Sequence, residues 1–302
     1  MPEPDYDVVI VGGGPAGLNA ALILGRCRRR VLLCDIGRPR NLYSRGVHGF
    51  LTRDGVKPTE LRRLAREQLA PYACVELRDV EVTAAACREG GFAVTLADGR
   101  QASARKLLFA TGITHDLPHI EGLAELWGNG VYNCPYCDGW EHRDQPIAVH
   151  GRGSGGKGFA IELTTWSRDL VLLTDGPFEL SDEDRGVLDR NGIRVIEEEV
   201  ARVEGGAEGL ERIHFASGAT LDRKALFFIQ GPCQVPELLT NLGCDLTRRG
   251  TVETGSYENT NVPGLYVAGD ASRRVQFAIV AAAEGAMAAF AINNELTDED
   301  LL

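Results

Sequence analysis

The hydrophobic pattern begins with Tyr6–Val11 (YDVVIV), an apolar run that stops at a glycine. A short run without polar alternation predicts a strand buried on both faces, as in a parallel sheet. Past Gly12-Gly13-Gly14-Pro15-Ala16-Gly17 the apolar positions Leu18, Ala21, Leu22 and Leu24 take helical spacing. Val31–Cys34 then reads as a second strand ending at Asp35. The same strand–helix–strand grammar returns at residues 146–150 (PIAVH). Gly151-Arg152-Gly153-Ser154-Gly155-Gly156 follows, then a helix carrying Phe159, Ile161 and Leu163, and a strand at 170–173 that runs into Thr174-Asp175. A third signature, Gly264 to Asp270 (GLYVAGD), precedes an alanine-rich helix predicted over residues 277–293.

These repeats predict an α/β chain with two Rossmann-like dinucleotide-binding domains, the second inserted in the first. Glycine and proline cluster near 112–118 and 230–242, so the expected outer domain is residues 1–113 plus 243–302 and the inner one 114–242. The acidic tail, residues 296–302, is expected to fray, with folding over a neighbouring cleft as the alternative.

Composition narrows the class. Hydrophobic residues at 44% and charged residues at 25% of 302 are ordinary for a soluble globular protein. The net charge of −11 argues against nucleic acid as a partner, because that binding rests on a basic surface. The run Arg26, Arg28, Arg29 and Arg30 is read as a solvated helix end. No stretch approaches the ~18 consecutive apolar residues of a membrane span. The acidic start Met1-Pro2-Glu3-Pro4-Asp5 lacks the build of a signal peptide, so a cytoplasmic protein without a membrane partner is expected. Of eight cysteines only Cys134 and Cys137 stand at redox spacing, and the other six are expected to be small core residues.

Cys134-Pro135-Tyr136-Cys137-Asp138-Gly139 puts two thiols within disulfide reach and a carboxylate beside them. Thiol–disulfide exchange needs a thiolate to attack, and Asp138 is placed to take or give the accompanying proton. A zinc half-site is the alternative; zinc wants four ligands and no second pair has a matching spacing, so no metal is expected. Trp140 either shapes the substrate approach or simply packs, and His142 is expected to be a polar surface residue.

In the first glycine loop Gly12 allows the tight turn, Gly14 a close backbone approach and Gly17 close helix–strand packing. The following helix N-terminus suits a diphosphate, and Asp35 can accept ribose hydroxyls. With these residues in place the chain resembles the low-molecular-weight thioredoxin reductases over nearly its whole length. The matching motifs are GGGPAG (12–17), ATG (110–112), CPYCDG (134–139) and NVPGLYVAGD (261–270). The resemblance implies FAD in the outer domain, with Gly269-Asp270 at the ribityl chain and Ala110-Thr111-Gly112 as the crossover beside the cofactor. It also implies a flavin-facing stretch at Arg40, Asn41 and His48, and the Val82 backbone at the adenine. It assigns Cys137 to the flavin side, Cys134 to the substrate disulfide and Asp138 to acid/base work. A homodimer and a disulfide or dithiol substrate, such as a thioredoxin-like protein, come with it. The family's Arg-Gln pair before the last helix is absent; Gln276-Phe277 stands there.

A second departure concerns the inner loop. The family holds the NADPH 2′-phosphate with arginines after the second strand, where this chain has Thr174-Asp175-Gly176. A carboxylate facing a phosphate is repulsive, and each ~1.4 kcal/mol is a decade of affinity, so NADPH use is expected to be poor or absent. Gly151, Gly153 and Gly156 keep the phosphate-cradling spacing, and Lys157 could add a charge. Three readings stay open: NADH, whose free 2′-OH suits Asp175; another dinucleotide such as a second FAD; or a vestigial loop, with electrons from elsewhere, for instance a ferredoxin. Arg40-Asn41 through His48-Gly49-Phe50-Leu51 and the ELSDEDR run at 179–185 are similar to ferredoxin-dependent flavin thioredoxin reductases, diflavin-linked disulfide oxidoreductases and gliotoxin-type dithiol oxidases. Asp138, where those oxidases carry His, leans toward a reductase. The expected activity is an FAD-dependent thiol–disulfide oxidoreductase. A dithiol oxidase using O₂ and a redox sensor without turnover are the alternatives.

Overall fold

The computed structural model describes residues 3–114, 116–178, 180–273 and 275–301, so Met1, Pro2, Glu179 of the ELSDEDR run and Leu302 of the tail lie outside them. The chain divides into two compact units: Met1–Leu42 with Gly49–His115 and Pro232–Leu302, and Tyr43–His48 with Asp116–Gly231. The second junction falls at Gly231/Pro232 rather than at the expected 242/243. Leu239 and Leu242 explain the difference, because both are buried in the core of the first unit.

In the first unit β1 (Tyr6–Val11), β2 (Val31–Cys34), β3 (Val75–Arg78), β4 (Val82–Arg88), β5 (Gly91–Leu96) and β6 (Gln101–Phe109) form a sheet ordered β3-β2-β1-β6-β5-β4. β1 and β2 run parallel with Val8 opposite Val31. The nine-residue β6 divides: Gln101 to Ala104 pair antiparallel with β5, and Leu107 to Phe109 pair parallel with β15 (Leu265–Val267). Alternate residues of one strand face opposite sides, and here both sides are apolar. Leu107, Phe109 and Val267 enter one core, Leu108 and Tyr266 the other. Helices α1 (Pro15–Arg26), α2 (Pro58–Leu69), α6 (Glu237–Asn241) and α7 (Ala278–Leu301) belong to this unit. α1 and α7 meet closely; a β-carbon on Gly285 would lie 2.0 Å from the Ala16 carbonyl oxygen.

Over the described residues the tail is helical rather than frayed. α7 continues through Leu301 and buries Leu296. Lys106 pairs with Glu295 and Glu299 at 2.7 Å each, and Asp300 takes Arg29 and Arg105 at 2.6 Å each. Arg29, read from sequence as part of a solvated basic run, is thus bound to the tail's carboxylate. Cys27 and Cys87 are exposed, contrary to the core expectation: one closes α1 at its C-cap and the other stands on the edge strand β4, whereas Cys34 and Cys244 are buried.

In the second unit β7 (Val131–Tyr132), β8 (Ile147–His150), β9 (Leu170–Leu173), β10 (Arg194–Ile196) and β14 (Ala225–Phe228) form a parallel sheet ordered β10-β9-β8-β14-β7. The unit also holds an antiparallel meander of β11 (Val200–Gly206), β12 (Gly209–Phe215) and β13 (Thr220–Asp222), and helices α3 (Pro135–Asp138), α4 (Gly153–Leu163) and α5 (Asp182–Arg190). Ser181 caps α5 by accepting from the Asp184 N–H at 3.1 Å, ahead of three acids in the first turn. Among the described residues no helix is long and apolar enough to cross a membrane.

Candidate active site and nucleotide loops

The first glycine loop is built by three close approaches. Gly12 takes φ +108° and a β-carbon there would stand 2.4 Å from the Ala110 carbonyl oxygen. On Gly17 a β-carbon would meet the Gly12 carbonyl at 1.9 Å, and on Gly13 it would meet Asp35. Gly14, by contrast, faces open space, with nothing within 4 Å of a β-carbon position. It caps α1 without a side chain, Pro15 occupies the first turn, and no acid stands there. The loop therefore leaves backbone donors and a favourable dipole toward an anion. Asp35, buried at the end of β2, is held by the Arg62 guanidinium, which also donates to the Gly13 carbonyl at 3.2 Å. Nothing in the sequence pattern singled out Arg62.

Ala110 to Gly112 follow the end of β6, and Gly269-Asp270 follow β15 closely. Ala110 donates to Val11 O at 2.8 Å, Ala268 donates to Phe109 O at 3.0 Å, and Gly112 opens onto free space. Gly269 turns the chain with φ +84° into Asp270, whose carboxyl is pushed up by burial against the pull of Arg40. Arg40 reaches Asp270 at 3.0 Å and donates to Gln276 Oε1 at 2.6 Å. An arginine–glutamine pair missing from the sequence before the last helix is thus assembled in space from the loop after β2. Phe277 opens the hydrogen bonding of α7, its carbonyl accepting from Ala281 N–H at 2.9 Å, while Asn41 is exposed and Val82 is buried at the start of β4. His48 groups with the second unit, its Nε2 lying 3.6 Å from Glu141. The open glycine cradle, the helix without a side-chain cap, the buried Asp35 and the half-buried Asp270 fit the diphosphate, ribose and ribityl groups of FAD.

Cys134 and Cys137 sit on one short turn. Cys134 is the N-cap of α3, Pro135 its first residue, and Cys134 O accepts from the N–H groups of Cys137 and Asp138 at 3.1 and 3.2 Å. This i,i+3 spacing brings the sulfurs together as a disulfide, with Cα atoms 5.3 Å apart. Gly139 is needed next, because a β-carbon there would lie 2.5 Å from Pro135 O and 2.8 Å from the Trp166 ring. Burial pushes the Asp138 carboxyl up to about 7, with the Glu141 charge adding to the shift. Tyr136 and Trp140 project into solvent, 63% and 64% exposed, and the Arg143 guanidinium stacks 4.3 Å over Trp140. Trp140 is therefore not core packing. His142 is not a free surface residue either; its Nε2 lies 3.1 Å from the Tyr132 hydroxyl and burial lowers its pKa.

The second glycine loop keeps the anchoring, and side chains of the same unit stand against it. A β-carbon on Gly153 would meet the Phe178 ring at 3.4 Å, and one on Gly151 would meet Ile229 at 2.6 Å. On Gly156 it would reach Gly151 O at 2.6 Å, so the helix–strand approach is retained. Asp175 takes φ +52° and turns inward: its Oδ1 accepts from Val200 N–H at 2.8 Å and its Oδ2 lies 3.7 Å from His150. Arg152 donates to Thr174 O at 2.6 Å, and Lys157 is paired with Asp184. The carboxylate expected to receive a ribose and the lysine expected to add charge are both engaged within the unit.

The sequence model of the pyridine nucleotide-disulphide oxidoreductase family matches residues 6–285. The chain is 33% identical over 306 residues to the "Probable thioredoxin reductase" of Arthroderma benhamiae, covering 90% of this chain and 75% of that protein. It is 28% identical over 312 residues to thioredoxin reductase aclD of Aspergillus oryzae, covering 99% of each. The crystal structure of HlmI superposes with a TM-score of 0.92 at 38% identity, over 98% of this chain and 94% of that one. The oxidoreductase from Agrobacterium tumefaciens does so with a TM-score of 0.89 at 32% identity, over 97% and 98%. The chain belongs to the pyridine nucleotide-disulphide oxidoreductase family, as a thioredoxin reductase-like, FAD-dependent oxidoreductase.

Proposed function

We propose that the protein exchanges electrons between FAD and an external disulfide through Cys134 and Cys137, without effective use of NADPH. The observation that carries this is a disulfide closed on a single helical turn beside Asp138, a carboxyl held near neutrality by burial. FAD, when bound, supplies the two-electron exchange that converts the Cys134–Cys137 disulfide to the dithiol and back. In the reductive direction Cys134 Sγ, as a thiolate, attacks one sulfur of the substrate disulfide, and the second substrate sulfur leaves and takes the proton that Asp138 delivers. Cys137 then gives up its thiol proton and its Sγ breaks the mixed disulfide; the substrate sulfur released from Cys134 takes that proton, so the substrate departs as a dithiol and Cys134–Cys137 is reformed. Asp138 with its raised pKa can hold that proton near pH 7.

FAD is assigned to the first unit, on Gly12 to Gly17, Asp35, Arg40, Ala110 to Gly112 and Gly269-Asp270. The inward Asp175 and the rings and methyls over Gly151 and Gly153 support the poor fit to NADPH. The substrate fitting the exposed Tyr136 and Trp140 is a disulfide flanked by apolar or aromatic surface, on a thioredoxin-like protein or a small molecule. The same closed loop favours a second reading, in which a small dithiol reduces Cys134–Cys137 and O₂ takes the electrons as peroxide. Anaerobic titration with NADPH, NADH, reduced ferredoxin and small dithiols, each followed at the flavin band, separates these. Fast bleaching by NADPH overturns the assignment of the second loop. Peroxide formed from a dithiol in air establishes the oxidase direction.

A further inference from the structure

Behind the Gly269-Asp270 turn lies a buried ionic cluster that the exchange chemistry does not use. Arg273 donates from Nη2 to both oxygens of Glu258 at 2.6 Å, from Nε to Glu284 Oε1 at 2.9 Å and from Nη1 to Thr254 Oγ1 at 3.2 Å. The second oxygen of Glu284 accepts from the Gly269 N–H at 2.7 Å. Glu258 is 0% exposed and Glu284 5%. Glu258 occupies the left-handed region, φ +64°, which L-residues rarely take, and from there meets Arg273 with both oxygens. Burial pushes both carboxyls up, Glu284 to about 7, against the pull of Arg273. Two buried carboxylates on one guanidinium are costly to maintain unless every oxygen is engaged.

The placement along the chain gives the cluster its use. Glu284 is followed on α7 by Gly285, which seats that helix against the Ala16 carbonyl in the first turn of α1. One helix therefore touches the start of the glycine-loop helix with one residue and the Gly269 N–H with the residue before it. Gly269 is the peptide that aims Asp270.

We propose that Glu284, fixed by Arg273 and through it by Glu258, is a positioning residue that holds the Gly269-Asp270 turn in the conformation that receives the flavin. The proposal rests on the assignment of Asp270 to FAD made above. Glu284 works because its two oxygens face two donors, Gly269 N–H and Arg273 Nε–H. A glutamine offers one oxygen and turns its amide N–H₂ toward a donor.

The test is the FAD dissociation constant and flavin midpoint potential of the purified holoprotein. Glu284→Gln is expected to weaken FAD binding ~10-fold, the size of one lost charge-assisted hydrogen bond, and to move the potential. Arg273→Lys, a milder change that keeps the charge, is expected to weaken it ~3-fold, on the same scale. Glu295→Gln removes the charge and one of the two acceptor oxygens that serve Lys106 and Tyr266 at the far end of α7; it should lower the melting temperature and leave both flavin readings unchanged. Wild-type affinity and potential in Glu284→Gln and Arg273→Lys, with Asp270→Ala losing FAD, overturn the positioning role alone. Retention of FAD by Asp270→Ala overturns the underlying assignment instead.

Discussion

Gly12 and Gly151 begin their loops alike, each N–H bonded to the end of the neighbouring strand, at Cys34 O (2.8 Å) and Leu173 O (3.0 Å). Gly17 and Gly156 are likewise pressed against the carbonyl of the loop's first glycine. The loops differ in what stands over them. In the first, Gly14 looks onto empty space and the acid at the strand end is held by a cation, Arg62. In the second, the Phe178 ring stands within van der Waals contact of Gly153 and Ile229 against Gly151, and the acid accepts from the Val200 backbone N–H. Glycine spacing thus preserves the strand–turn–helix joint, which is a packing requirement. The side chains that stand over the two loops differ, and they come from outside the loops themselves.

The sharpest way to break this comparison is to fill each cradle in turn. Gly14→Ala adds a β-carbon where nothing stands within 4 Å, so it is expected to weaken FAD binding by ~10-fold or more by steric exclusion while folding stability changes by less than ~1 kcal/mol; flavin content and thermal melting check it. Gly155→Val in the second loop should leave flavin content unchanged. Cys134→Ser and Cys137→Ser should abolish disulfide turnover. Asp138→Asn should slow it by ~100-fold or more, the scale of a lost proton donor, and remove an inflection near pH 7 from the rate profile.

Asp138 also gives a stability test with a definite sign. Its folded pKa is raised from 3.8 to about 7, so the folded protein binds this proton more tightly than the unfolded chain. That stabilisation is complete below the unfolded value and lost as pH rises through about 7. An asparagine side chain does not titrate, so the stability of Asp138→Asn relative to wild type should rise between pH 5 and pH 8 in denaturant melts.

Smaller effects probe the closed loop itself. Phe178→Ala with Ile229→Ala removes the groups over Gly153 and Gly151; flavin reduction by NADH should rise by ~10-fold if steric closure dominates, a gain of about 1.4 kcal/mol. An unchanged rate would assign the block to the inward Asp175. Smallest, Asp175→Asn keeps an acceptor for Val200 N–H and should cost less than ~0.5 kcal/mol, whereas Asp175→Ala leaves that donor without its partner and should cost ~1–2 kcal/mol.

Much of the architecture was legible because its signals are local. Apolar runs such as Val31–Cys34 can only be buried between two covered faces, and all four of its residues are buried. Glycines 12 and 17 reported backbone approaches that any side chain would block. The CPYCDG turn announced its chemistry because an i,i+3 pair needs only one helical turn to close. Less legible were features made by residues far apart. Arg40 meets Gln276, Arg62 meets Asp35, and Arg273 meets Glu258 and Glu284 only after the sheet brings the ends of β2 and β15 and the start of α7 together. The tail escapes a reading by composition because its carboxylates find Arg29, Arg105 and Lys106 on other elements, and composition does not encode those partners.

By itself the sequence determined the two strand–turn–helix joints, the dithiol turn and the acid beside it, all set by steric and hydrogen-bond geometry within a few residues. Only the tertiary structure decided the direction of Asp175, the exposure of Trp140, the raised pKa of Asp138 and the burial of Glu284. Each of these depends on which groups and how much solvent surround a side chain. That surrounding is assembled by packing across the fold rather than by neighbours along the chain.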